Sequence, residues 1–140
     1  MHMNDILILY YSKNDSTKKM ARAIARGIES SNLASSSIRT VHSDSYKESD
    51  DILVTKEDLK KCSGMIIGSP THFGNMAAPL KAFFDSTTDE WFNNTLESKL
   101  GGVFTSTSSM HGGQETTLIS MMMPLIPVSY THLTLPTTSV

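Results

Sequence analysis

The stretch Ile6-Leu7-Ile8-Leu9-Tyr10-Tyr11 constrains this chain more than any other. It is a continuous apolar run rich in strand formers, and it lacks the alternation of a half-exposed strand. Such a run suits a strand buried on both faces. The polar link Ser12 to Thr17 leads straight into helical spacing, with Met20, Ala23, Ile24, Gly27 and Ile28 expected on one face and Lys18, Lys19, Arg22 and Arg26 elsewhere. A strand covered on both sides and followed at once by a helix is the start of a layered α/β domain.

The pattern recurs along the chain. Ile38 to Val41 predicts a second short strand after the serine-rich Ser30 to Ser37. His42 to Val54 reads as a long polar loop; its acidic residues Asp44, Glu48, Asp50 and Asp51 lack calcium-ligand spacing and are expected in solvent. Thr55 can cap a short helix with Asp58 at its third position, and Cys62 falls at that helix's end as a small, partly buried residue. Gly64 to Gly68 predicts a third strand. A loop from Ser69 to Asn75 and a helix from about Ala77 to Ser86 follow, with Pro79 in the first turn, where a missing N–H costs nothing. Val103 to Ser106 predicts a fourth strand and Gln114 to Met123 a helix, with Met121, Met122 and Met123 packing on the sheet. Strand, turn and helix in repeated succession predict an α/β fold, a doubly wound parallel sheet.

Composition removes other classes. The chain has 140 residues and a net charge of -2, so no basic footprint for a nucleic-acid backbone. No apolar run reaches the ~18 residues of a membrane-spanning helix, and Met1 to Ser16 has no signal-peptide pattern. A single cysteine cannot form an internal disulfide, which points to a cytoplasmic protein without integral membrane association.

Open parallel sheets bind ligands at the carboxyl ends of their strands. Here three loops occupy those ends. Ser12, Lys13, Asn14, Asp15, Ser16 and Thr17 join a buried strand to a helix N-terminus, where free N–H groups and the helix dipole favour an anion such as phosphate. An ordinary hydroxyl cap fits this spacing equally well. Pro70, Thr71, His72, Phe73, Gly74 and Asn75 combine a rigid proline, close backbone approach and an aromatic ring, a wall suited to a flat heteroaromatic ligand. Ser106, Thr107, Ser108, Ser109, His111 and Gly112 can add hydroxyls and backbone on the other side. Trp91, among Asp89, Glu90, Asn93 and Asn94, reads as an exposed ring at a contact surface or a substrate site. No acid/base pair marks a catalytic residue and no cluster has zinc-ligand spacing, so no metal is expected.

Longer motifs in these loops resemble a known family. Ile8 to Ser12 with Thr17, Met20 and Ala21 looks like the flavodoxin phosphate-loop signature. Gly68-Ser69-Pro70-Thr71, Phe73 to Lys81, and Phe104 to Thr107 through His111 to Leu118 resemble the flavodoxin-like NAD(P)H:quinone oxidoreductases, the tryptophan-repressor-binding-protein family. The resemblance spans Ile6 to Ile126. It implies FMN as cofactor, NAD(P)H as electron donor, a quinone substrate reduced by two electrons, and a homotetramer. Ser12 to Thr17 would hold the phosphate, Thr71 to Asn75 the ring edge, and Ser106 to Gly112 the far side. Asn14 stands where the family meets the nicotinamide nucleotide, and Trp91 where it meets quinone, close to a neighbouring subunit's flavin. Against the family, Asp15 replaces a glycine, His72 an arginine, and Pro127 and Val128 a pair of histidines. A flavodoxin-type electron carrier and a flavin-free partner-binding module are the alternative readings.

The chain changes character after Ile126. Val128 to Thr137 matches, residue for residue, the in-frame translation of a transposon-type sequencing adapter, with Pro127 at the junction. The expected organisation is therefore an incomplete FMN-binding domain over residues 1–126 and an artefactual tail over 127–140. On that reading a sheet of order 2-1-3-4-5 lacks its fifth strand and last helix, the fourth strand presents an open edge, and the fragment is expected to be aggregation-prone or only partly folded, with an inactive fragment as a further alternative.

Overall fold

A computed structural model describes residues 4–44 and 49–125. Four strands, β1 (Asn4–Tyr10), β2 (Ala34–Thr40), β3 (Gly64–Pro70) and β4 (Leu100–Ser106), form one parallel sheet in the order β2-β1-β3-β4. This is the expected doubly wound order over its first four strands. Residues 126–140, where the adapter-like tail falls, lie outside the described residues.

The unbroken apolar run of β1 is explained by its central place. Leu7 and Leu9 face a cluster with Met65, Ile67, Leu80, Phe84 and Met121, while Ile8 and Tyr10 face Ala21, Ala25 and Phe104. Helix α1 (Ser16–Ser30) covers the second face; α3 (Ala78–Asp85) and α5 (Gln114–Met122) cover the first. Helix α2 (Lys56–Lys61) is capped as its sequence predicts: Thr55 accepts from the Asp58 N–H, and the Asp58 carboxylate accepts from the Thr55 N–H at 2.8 Å. Cys62 follows it, 3% exposed, and burial pushes its thiol pKa up.

Several expectations are corrected. The buried stripe of α1 is Thr17, Ala21 and Ala25, with Ile24 and Ile28 beside it, whereas Met20, Ala23 and Gly27 are exposed. Small side chains let the helix lie close on the sheet, which turns the stripe away from the bulkiest apolar residue. Ser35, Ser36 and Ser37, predicted to precede the second strand, lie inside β2. Its ladder to β1 outweighs their weak strand preference, and the Asp5 carboxylate accepts from Ser35 at 3.0 Å and Ser37 at 2.9 Å. Of the three consecutive methionines only Met121 is buried; Met122 and Met123 are exposed where α5 gives way to a 3-10 turn (Met123–Leu125). An unforeseen short helix, α4 (Thr88–Phe92), half-buries Trp91 and exposes Phe92 instead.

Candidate functional site

The three loops meet at the carboxyl ends of β1, β3 and β4. In the first, Asp15 takes left-handed backbone angles (φ 65°) immediately before α1. Its carbonyl accepts the Lys19 N–H at 2.9 Å, and Ser12 Oγ accepts the Lys18 N–H at 3.3 Å. The remaining first-turn N–H groups have no carbonyl within the helix, so this 15-residue helix presents donors and the positive end of its dipole.

The second loop is a tight turn. His72 and Asn75 exchange both backbone hydrogen bonds, at 2.9 and 3.1 Å, with Phe73 (φ 52°) and Gly74 (φ 75°) at the tip. A left-handed conformation is unusual for so bulky a residue, and the Phe73 ring lies wholly in solvent. The base of the loop is held by Ser69, whose buried hydroxyl accepts the Ala77 N–H at 2.8 Å and donates to the Pro70 carbonyl at 2.9 Å.

The third loop is tied to both others. The Thr71 N–H donates to the Ser106 carbonyl at 3.0 Å, and the Thr17 and Ser106 hydroxyls lie 2.9 Å apart. Gly113 (φ 94°) opens α5 against the tip of the second loop; a Cβ built there would stand 2.9 Å from Gly74 Cα.

Between the loops lies a cleft of about 200 Å³. From the first loop it is lined by Ser12, Lys13, Asn14, Ser16 and Thr17, from the second by Pro70, Thr71 and His72, and from the third by Ser106, Thr107 and Ser108. Eleven of the expected site residues thus share one wall. Asp15 is not among them. It lines a neighbouring cavity of about 270 Å³ with Tyr10, Lys18, Thr40, Ser49 and Asp50, and Ser12 and Lys13 border both cavities. The cleft wall therefore carries an ammonium group and hydroxyls but no carboxylate, a donor set that fits a phosphate group. Phe73, Gly74, Asn75, Ser109, His111 and Gly112 flank the cleft in sequence without lining it, and Trp91 lines a separate apolar groove of about 610 Å³ with Phe84, Phe92, Met123 and Pro124.

A polar cluster that no local sequence pattern marks lies behind the first loop. The Tyr10 hydroxyl donates to Asp51, which also accepts from Arg22 at 2.5 Å. Burial and that hydrogen bond push the Tyr10 pKa up to about 12. Burial opposes ionisation of Asp51, but hydrogen bonds from Arg22 and Tyr10 hold its pKa below the usual carboxylate range. Asp51 is thus a partly buried anchor and not a solvated acid. Nothing in the local sequence marks it, because its partners lie 29 and 41 residues away. Among the described residues no cluster of His, Cys, Asp and Glu is fit to hold a metal, and no helix is long and apolar enough to cross a membrane.

A parallel sheet in this order with an anion-fitting loop after its first strand defines the flavodoxin-like class, and solved structures agree. A flavodoxin, WrbA-like protein from Agrobacterium tumefaciens superposes with a TM-score of 0.74 at 22% identity, over 89% of this chain and 73% of that one. An archaeal flavodoxin does so with a TM-score of 0.67 at 25% identity, over 89% and 74%.

The NADPH-dependent FMN reductase family matches residues 5–123, and the chain belongs to that family. Curated relatives include an NAD(P)H dehydrogenase (quinone) of Caulobacter vibrioides, 39% identical over 89% of this chain and 67% of its own length. One of Paracoccus denitrificans is 38% identical over 96% of this chain and 69% of its own. The chain spans about two thirds of the length of these relatives.

Proposed function

We propose that this chain derives from an FMN-dependent NAD(P)H:quinone oxidoreductase. The observation that carries the reading is the cleft at the strand ends, whose wall offers Lys13, several hydroxyls and the start of α1 while Asp15 lines the neighbouring cavity. Family membership and the relatives' activity as NAD(P)H dehydrogenases (quinone) support it.

The residues present fit FMN. Ser12, Lys13, Asn14, Ser16 and Thr17 would hold its phosphate, with Asp15 setting the left-handed turn that aims their N–H groups inward. Thr71, His72, Phe73, Gly74 and Asn75 would border the ring, and Ser106 to Ser109 with His111 and Gly112 would close the other side. When bound, FMN supplies the two-electron redox chemistry that links NAD(P)H to quinone. The protein's part is to grip the phosphate, fix the ring by the tight His72–Asn75 turn and exclude water through the hydroxyl-bonded loops. At about 200 Å³ the cleft is smaller than the roughly 300–1,000 Å³ that encloses a drug-sized ligand. The cleft would therefore enclose only part of FMN, and the exposed Phe73 would border the remainder. A second copy, in a cytoplasmic homotetramer, would cover it and bring Trp91 to the quinone. On the same reading residues 1–126 form the FMN domain and 127–140 are an adapter-derived tail, which resequencing of the gene from independent DNA tests directly.

The functional test is a titration of the chain with FMN, following flavin fluorescence, and then NADH- and NADPH-dependent reduction of benzoquinone. Saturable quenching is the expected result, with quinone turnover expected once the chain is extended to the length of its relatives. Stepwise reduction that accumulates a stable one-electron form without turnover would turn the reading toward an electron carrier.

A further inference from the structure

We propose that Thr105, a residue outside the cleft wall, sets the direction in which the Thr71 hydroxyl bonds and so makes Thr71 a hydrogen-bond acceptor toward whatever the cleft holds. The inference deepens the flavin reading above and rests on it for the identity of the ligand.

A threonine hydroxyl has one proton and two lone pairs. Thr105 Oγ1 donates to the Ser69 carbonyl at 2.7 Å, the length of a well-formed O–H···O bond. That contact uses its only proton. Thr71 Oγ1 lies 3.2 Å from the same Thr105 oxygen, so the proton between the two hydroxyls comes from Thr71. The backbone fixes both partners. Thr105 pairs with Ser69 in the β3–β4 ladder, and the Thr71 N–H is bound to the Ser106 carbonyl at 3.0 Å. The Thr71 methyl lies toward α5, 3.5 Å from the place a Cβ on Gly113 would take. Rotation that turned the hydroxyl proton into the cleft would break its bond to Thr105. Thr71 lines the cleft, and with its proton committed it has only lone pairs to offer there. The chemical class selected at that point is an N–H or O–H bearing edge. A flavin provides both, in its ring N–H and its ribityl hydroxyls; a ligand presenting only carbonyl or phosphate oxygens there would face an oxygen with no proton to give. Thr105 is thus a positioning residue that acts through Thr71.

The test is a double-mutant cycle on the full chain with Thr71→Val, Thr105→Val and the double variant, plus Thr105→Ser as the rescue. Without ligand, thermal melts report the hydroxyl pair itself. The double variant is expected to melt about 3 °C above the sum of the single losses, the signature of one shared hydrogen bond. With FMN, Thr71→Val and Thr105→Val are each expected to weaken binding roughly 5-fold, as loss of one uncharged hydrogen bond does. Thr105→Val is then expected to change nothing further in the Thr71→Val background, and Thr105→Ser to keep wild-type affinity. Additive melting losses overturn the proposal whatever FMN does. Coupled melting with additive FMN effects also overturns it, since Thr105 would then act by general loosening. No quenching by the wild-type chain, with coupled melting intact, refutes flavin binding by this fragment while supporting the Thr71–Thr105 proton arrangement.

Discussion

Replacing Gly113 by alanine tests the idea that two loops of the site are held at backbone contact. Gly113 has φ 94°, and a methyl there would lie 2.9 Å from Gly74 Cα and 3.4 Å from Gly74 N. The left-handed conformation costs a non-glycine residue roughly 1–2 kcal/mol, and forcing backbone atoms apart adds about 1–3 kcal/mol. We expect Gly113→Ala to destabilise by about 3 kcal/mol, a fall in Tm of roughly 10 °C for a domain of this size. Because the strain falls on the Phe73–Gly74 tip, FMN affinity should drop by more than the stability loss alone explains, with binding measured well below the melting range. Gly27→Ala is the control. Gly27 is exposed in the interior of α1 with nothing within 4 Å of its Cβ position, so alanine should stabilise by about 0.5–1 kcal/mol and leave FMN binding unchanged. A Gly113→Ala protein that melts within 2 °C of wild type, and binds FMN equally well, refutes the close-approach account.

Three further outcomes follow from the geometry. Tyr10→Phe removes a hydroxyl bonded to the Asp51 carboxylate and should cost about 1–2 kcal/mol by urea unfolding near pH 8. The Tyr10 pKa is raised from 10.0 to about 12, so the stability tied to its neutral form is complete below pH 10 and declines above it; the gap between wild type and Tyr10→Phe should narrow by up to about 1 kcal/mol between pH 9 and 11, screening included. The lowered Asp51 pKa acts at the other end, present above the ordinary aspartate pKa and lost as pH falls through the folded value, so Asp51→Asn should flatten the acid limb of the stability curve. Asp15→Gly relieves a left-handed residue and removes a carboxylate beside the anion site, so FMN affinity should rise severalfold; a weaker complex would show that Asp15 itself helps the ligand.

The sheet was legible because β1 and β3 are central strands, and burial on both faces leaves an apolar run that needs no partner to be recognised. The capping box at Thr55 was legible because its two halves are three residues apart. What escaped were features made by distant contacts. Ser35 and Ser37 read as linker because their reason for being in a strand, Asp5, lies about 30 residues earlier. Asp51 read as a solvated acid because Tyr10 and Arg22 come from other elements. The three loops of the candidate site are visible in the sequence, and the cleft joins residues from all three, but its hydroxyl ties Thr17–Ser106 and Thr71–Thr105 span 89 and 34 residues. No local pattern announces such a tie. That Asp15 is absent from the cleft wall was equally hidden, since spacing placed a carboxylate among the phosphate donors.

The serine-built strand β2 has a consequence for how the molecule breathes. Thr40 is its only buried side chain, so β2 is held by its ladder to β1 and by hydroxyls gathered on one carboxylate, with little apolar surface to resist peeling. Local opening of a domain begins where buried apolar contact is least. Amides of Ala34–Thr40 should therefore exchange with solvent ahead of those in β1 and β3. The segment carrying Ser49 and Asp51 follows β2 in the chain, and Thr40 is bonded through its backbone to Ile52 and Val54. When this edge unzips, the Tyr10–Asp51–Arg22 cluster goes with it, and the cavity beside the first loop opens to water while the core of the sheet stays shut.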